Sequence, residues 1–180
     1  ASLPASDIIP TIHHTRQAAE TYFNEFAVLR SQNRSWNGRL REPPGVDERV
    51  SSGLIELHQM LRELHNEIED EQDRSEVHGY AERCKMLASS ITGWHQQSEP
   101  NWVYWIETEA GPRQRVTIAA RPIEVGPVLK SMLFDTLRTV VMTSATLSTG
   151  GSDPFQYVRG RVGAEESITL QLGSPFNYRD

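Results

Sequence analysis

The run Val140 to Leu147, V-V-M-T-S-A-T-L, places three hydroxyls, Thr143, Ser144 and Thr146, directly after a compact apolar stretch. Ser and Thr at the carboxyl end of a buried parallel strand sit at the rim where open α/β sheets bind ligands. There they can hydrogen-bond phosphate oxygens or a neighbouring carboxylate. A bare S-A-T is equally an ordinary strand-end turn. A second grouping, Arg30, Arg34, Trp36, Arg39 and Arg41, falls in a break between two helical stretches. Guanidiniums beside an indole suit a nucleic-acid single strand, the arginines taking phosphates and the ring a base face. The competing reading is a solvated interhelical loop whose tryptophan packs on the helices. Arg113 and Arg115, beside an expected β-hairpin turn, form a weaker second candidate.

Other chemistries are excluded or disfavoured by residue type and spacing. One cysteine, Cys84, rules out an internal disulfide, a four-cysteine zinc site and a four-cysteine iron-sulfur cluster held by these residues. It falls in a helix seam and is expected to be buried. His13 and His14 are adjacent and point to different helix faces. His58 and His65 lie two turns apart with the cationic Arg62 between them, so no metal site is expected. The acidic run Glu67, Glu69, Asp70, Glu71, Asp73 and Glu76 reads as a solvated helix joint that would repel DNA. Neither a Ser-His-Asp nor a Cys-His arrangement follows from spacing. The chain contains no G-x-x-x-x-G-K-[ST] loop and no D-E-A-H string, so these residues are not expected to hydrolyse ATP by themselves.

The 180 residues are 37% hydrophobic and 23% charged, enough for one full core or two small ones. With 24 acidic and 18 basic residues the net charge is -6, against a broadly basic nucleic-acid binder but not against a local basic path. Only Lys85 and Lys130 are lysines; the other cations are arginines, whose planar forks match phosphate and carboxylate. No apolar run approaches the roughly 18 residues of a spanning helix, and Ala1 to Pro10 lacks the pattern of a signal peptide. A cytoplasmic location without membrane contact is expected. The start at Ala1 and the stop at Asp180 suggest a piece of a longer protein.

The elements that must position these groups change character near Gln97. Before it the periodicity is helical. Ile12, Ala19, Tyr22, Phe23, Phe26 and Leu29 mark the stripe of one helix, and Asn33 to Gly45 holds the breakers Asn37-Gly38 and Pro43-Pro44-Gly45. Asp47 is placed to cap the next helix. Val50, Leu54, Leu57, Leu61, Leu64 and Ile68 form one seam, and Val77, Tyr80, Cys84, Leu87, Ile91 and Trp94 a second. Two seams joined by a short polar stretch predict an antiparallel helical hairpin, or a three-helix layer once the first helix is added. Beyond Pro100 the period falls to two: Trp102 to Ile106 and Arg113 to Ile123 predict a β-hairpin around Gly111-Pro112. A short helix follows Gly126-Pro127. A strand at Thr139 to Met142, a helix at Pro154 to Val162 and a strand at Ser167 to Leu172 suggest a right-handed parallel unit. Two such strands cannot bury both faces by themselves, so missing neighbours belong to the expectation.

Taken together, the W-I-E strand, A-A-R-P-I-E-V-G-P, V-V-M-T-S-A-T-L and S-P-F-N-Y resemble the DinG and XPD branch of superfamily 2 DNA helicases, most closely its DinG-like bacterial members. The resemblance covers Trp102 to Tyr178. It implies that residues 98–180 are the later part of a first motor domain with a parallel P-loop-NTPase-like sheet, and that residues 1–97 match an Arch-like helical insertion. The expected fold is thus α/β with a mainly helical insertion. The resemblance further implies an ATP-driven, magnesium-dependent motor moving on single-stranded DNA, 5′ to 3′, in repair or replication. Ser144, Ala145 and Thr146 would be helicase motif III, coupling nucleotide state to DNA contact. Ser174, Pro175 and Phe176 would lie near the passage into a second motor domain. An iron-sulfur cluster, where a family member has one, would be ligated outside these residues. A different class stays open: a non-catalytic interaction module in which the helical hairpin binds a partner and S-A-T is incidental.

Overall fold

The computed structural model describes residues 5–33, 35–109 and 115–173. It divides into two compact units, Ala1–Arg121 and Pro122–Asp180.

In the first unit, α1 (Ala5–Gln32) is followed by the two-residue strand β1 (Arg39–Leu40), then α2 (Val50–Glu67) and α3 (Glu71–Gln96), then β2 (Trp102–Glu109) and β3 (Arg115–Pro122). The predicted antiparallel hairpin is present. Ser51 Oγ of α2 donates to the Ala88 carbonyl of α3 at 3.2 Å, and one heptad further His58 Nδ1 donates to the Ala81 carbonyl at 2.8 Å. At the far end the rings of His65 and His78 are 5.5 Å apart. Contacts that climb one helix while descending the other define opposite directions. Asp70 caps α3 by accepting the Asp73 N–H at 2.9 Å.

Two local expectations are corrected. Asp47 does not cap α2: its carboxylate pairs with Arg49 at 2.7 Å, and Glu48, one residue later, accepts the Ser51 N–H at 2.8 Å. On α3 the buried line is Ala81 and Ala88, whereas Tyr80 and Leu87 are 47% and 44% exposed. Methyl-sized residues let the two helices approach closely enough for side chains of α2 to reach carbonyls of α3, and the bulkier neighbours turn outward.

The core joins helices to sheet. Tyr22, Phe26, Val50, Trp94, Tyr104 and Ile106 form one buried cluster. Phe26 meets Trp94 edge to face at 5.5 Å between centroids and Tyr22 at 4.8 Å. The Trp94 indole N–H donates to the Ala119 carbonyl at 2.9 Å, and the Tyr104 hydroxyl accepts the Glu99 N–H at 3.0 Å. These contacts tie the hairpin β2–β3 to the helices, and the first compact unit accordingly extends to Arg121. The strands form one antiparallel sheet in the order β1-β2-β3, with Arg39 opposite Trp105 and Leu40 opposite Tyr104.

In the second unit, α4 (Val125–Leu129) runs into a π-helical turn, Lys130–Phe134, and α5 (Gln156–Val162) follows. Gly163 ends α5 at φ +75°, where a Cβ would stand 2.3 Å from the Gly126 carbonyl oxygen; only glycine lets the end of α5 meet the start of α4 so closely. The predicted strands at 139–142 and 167–172 pair with nothing among the described residues. Within them Val141 and Leu172 are 80% and 79% exposed, and the described residues do not show the expected parallel sheet. No helix among the described residues is long and apolar enough to cross a membrane.

Candidate functional sites: a hydroxyl turn and an arginine–tryptophan loop

The S-A-T turn lies in the second unit between the segment ending at Met142 and the loop leading to α5. Ser144 Oγ is 3.1 Å from Thr146 Oγ1 and accepts the Thr146 N–H at 3.2 Å, a side-chain turn that holds the two hydroxyls together. Thr143, Ser144, Ala145 and Thr146 are all exposed. Ser144 and Ala145 border a cavity of about 580 Å³ whose other wall includes Phe155, Val158 and Arg159 of the α5 region. The loop behind the turn is closed by the Thr149 N–H, which donates to the Pro154 carbonyl at 2.8 Å. Asp153 then pairs with Arg159, which also donates to the Glu165 carbonyl at 3.3 Å. Chemically, the paired hydroxyls can donate to phosphate or carboxylate oxygens.

The arginine–tryptophan loop lies in the first unit. Arg30 sits in the last turn of α1 and donates to the Asn33 carbonyl at 3.0 Å. Trp36 is half-buried against the core cluster, and its indole N–H donates to the Arg39 carbonyl at 2.8 Å. Arg39 and Arg41 are exposed, and with Trp36 and Glu42 they border a recess of about 480 Å³. The loop therefore brings Trp36, Arg39 and Arg41 together, while Trp36 offers only part of its ring. Arg115 is exposed at the start of β3. Arg34, Arg113, Ser174, Pro175 and Phe176 lie outside the described residues.

Gly38 sets this geometry. At φ +87° its carbonyl accepts the Ile106 N–H at 2.9 Å, and a Cβ there would stand 2.2 Å from the Ile106 carbonyl oxygen. The loop is thereby pressed onto β2, and Arg39 lands beside Trp105. Trp105 and Arg121 were not singled out from the sequence, although strict alternation through Val103, Trp105 and Glu107 puts that tryptophan on the face opposite the core residues Tyr104 and Ile106.

Cys84 is half-buried in the α2–α3 seam, and burial raises its thiol pKa. Among the described residues no three His, Cys, Asp or Glu side chains gather to hold a metal ion. Among the described residues no carboxylate hydrogen-bonds the hydroxyl turn, and the sequence contains no G-x-x-x-x-G-K-[ST] string.

Three curated proteins are similar to this chain. A Bacillus subtilis protein named 3′-5′ exonuclease DinG is 33% identical over 135 residues, 72% of this chain and 14% of that protein. The Escherichia coli ATP-dependent DNA helicase YoaA is 28% identical over 97 residues, 54% of this chain and 14% of that protein. The B. subtilis probable ATP-dependent helicase YpvA is 27% identical over 158 residues, 85% of this chain and 23% of that protein. The chain thus spans between 14% and 23% of the length of these relatives. No protein-family model and no solved structure matches it.

Proposed function

This chain belongs to the DinG-like helicase family, and from that premise we propose that it serves as part of an ATP-dependent motor acting on single-stranded DNA in the cytoplasm. The observation that carries the reading is the sequence similarity to two proteins named as ATP-dependent helicases, one of them a DNA helicase. The word exonuclease belongs to the third relative and is not carried over.

Within such a motor the S-A-T turn is motif III. Ser144 and Thr146 would pass the nucleotide state to the DNA contacts through hydrogen bonds made and broken at their exposed hydroxyls. ATP and magnesium would be held by residues outside this chain, and the motor would run 5′ to 3′ in repair or replication. An iron-sulfur cluster, if the motor carries one, would likewise be ligated elsewhere. Residues 1–97 would act as an Arch-like region that guides the strand, with Arg30, Arg34, Trp36, Arg39, Arg41, Arg113 and Arg115 as DNA contacts. Ser174, Pro175 and Phe176 would lie at the passage to a second motor domain.

The test is strand displacement by a protein that carries these residues together with its own phosphate loop. ATP-dependent unwinding of a duplex with a 5′ single-stranded tail is expected. An ATPase that neither responds to single-stranded DNA nor unwinds any tailed duplex would contradict the reading.

A further inference from the structure

The outward face of the sheet carries a row of side chains across all three strands. Arg39 of β1 is the direct antiparallel partner of Trp105 of β2, so both project to the same side. The guanidinium of Arg121, on β3, lies over the same indole, 6.0 Å from the ring centroid. Tyr104 and Ile106, the alternate residues of β2, point the other way into the core, which fixes the direction of Trp105. The indole N–H donates to Glu107 Oε1 at 2.6 Å, holding the ring in place. Arg39 and Arg121 are exposed and Trp105 is half-exposed. Neither arginine forms a salt bridge among the described residues.

The half-exposed indole has the Arg121 guanidinium over its ring and Arg39 as its cross-strand partner, on the face of the sheet opposite the core; Arg121 Nη1 donates to the Ala120 carbonyl at 2.8 Å, and neither arginine pairs with a carboxylate among the described residues. The chemistry of this group is that of a platform for a flexible polyanion with flat apolar rings: one base stacks on the indole, and phosphates on either side meet the arginines. Glu107 and Glu109 share this face with Arg39, Arg115 and Arg121 by strand alternation, leaving it net positive in a chain whose overall charge is -6. We propose that this sheet face, centred on Trp105 between Arg39 and Arg121, binds single-stranded DNA. The proposal rests on the single-strand reading above and adds a site distinct from the interhelical loop, with Arg39 shared between them.

Fluorescence anisotropy of a labelled oligothymidylate with the 180-residue chain tests it. Trp105→Ala is expected to weaken binding about fivefold to a hundredfold, whereas Trp105→Phe, which keeps a stacking face, retains most of the affinity. Arg121→Gln is expected to lower the slope of log affinity against log salt by about 0.7, one phosphate contact on a single strand. Thermal melts of the three variants, expected to match the parent because both sites lie outside the core cluster, separate lost contact from lost fold. Binding that is salt-sensitive yet unchanged in Trp105→Ala and Arg121→Gln would overturn this site and leave the single-strand reading standing. Absence of binding at low salt would overturn both.

Discussion

Arg39 and Trp105 face each other across the β1–β2 ladder, and the approach that brings them together depends on Gly38, whose carbonyl takes the Ile106 N–H at 2.9 Å. The short strand β1 is thus less a sheet element than a clamp. It ties the loop after α1 to β2 and sets an arginine beside an outward-facing indole.

Replacing Gly38 by alanine should loosen that clamp. The residue has φ +87°, and a Cβ would meet the Ile106 carbonyl oxygen at 2.2 Å. A loss of about 1–3 kcal/mol is expected from backbone strain and the displaced strand. Urea unfolding followed by tryptophan fluorescence reads it; an unchanged midpoint would mean that β1 is not held as described.

Trp94 joins α3 to β3, packing on Phe26 and donating to the Ala119 carbonyl. Trp94→Phe keeps an aromatic ring but leaves that half-covered carbonyl without its donor. Destabilisation of about 1–3 kcal/mol is expected. Calorimetry checks it, and a change of less than a few tenths would show that the helices and hairpin are not one cooperative core.

How far the sequence carries is clearest along this core. Helical spacing in Val50 to Ile68 and Val77 to Trp94 leads directly to the hairpin, and the change of period after Pro100 leads to β2 and β3. Spacing could not choose between adjacent stripes on α3: Tyr80 and Leu87 fit a seam by hydrophobicity, yet Ala81 and Ala88 win because small residues permit closer helices. Capping depended on a one-residue difference between Asp47 and Glu48 that propensity does not resolve. The strands at 139–142 and 167–172 were read from apolar content alone, which signals burial only where something is present to bury against. Of the candidate sites, the hydroxyl turn and the arginine loop were visible by residue type. Arg121 over Trp105 was not, since that pairing depends on register across two strands.

Tyr22 makes the stability of the first unit alkali-sensitive. Its hydroxyl is within 3.1 Å of His95 Nδ1, and burial, with a smaller contribution from the negative charge of Glu48, raises its pKa well above the ordinary value of 10. A phenol whose folded pKa is raised is held neutral by the fold. Stability is therefore intact below pH 10 and falls above it, as the unfolded chain ionises first, by about 1.4 kcal/mol per pH unit while the native phenol stays protonated. Tyr22→Phe should start less stable but lose that part of the alkaline slope; equal slopes between pH 10 and 11 would contradict the assignment.

Asp153 should act on the loop behind the hydroxyl turn through its pairing with Arg159. Asp153→Asn is expected to raise the amide exchange rate at Thr149, whose N–H donates to the Pro154 carbonyl, by about tenfold, corresponding to about 1.4 kcal/mol of local opening. Exchange at the parent rate would show that the loop holds its shape without the ion pair.

The most direct test of the proposed function is the ratio of base pairs unwound to ATP hydrolysed in a motor that carries these residues, with Ser144→Ala and Thr146→Ala combined. The two hydroxyls lie 3.1 Å apart, exposed and away from any core, so their removal should leave folding and ATP binding nearly intact. If the S-A-T turn couples hydrolysis to movement, ATP consumption persists while unwinding drops at least tenfold. Unwinding at the parent ratio in the double variant would contradict it.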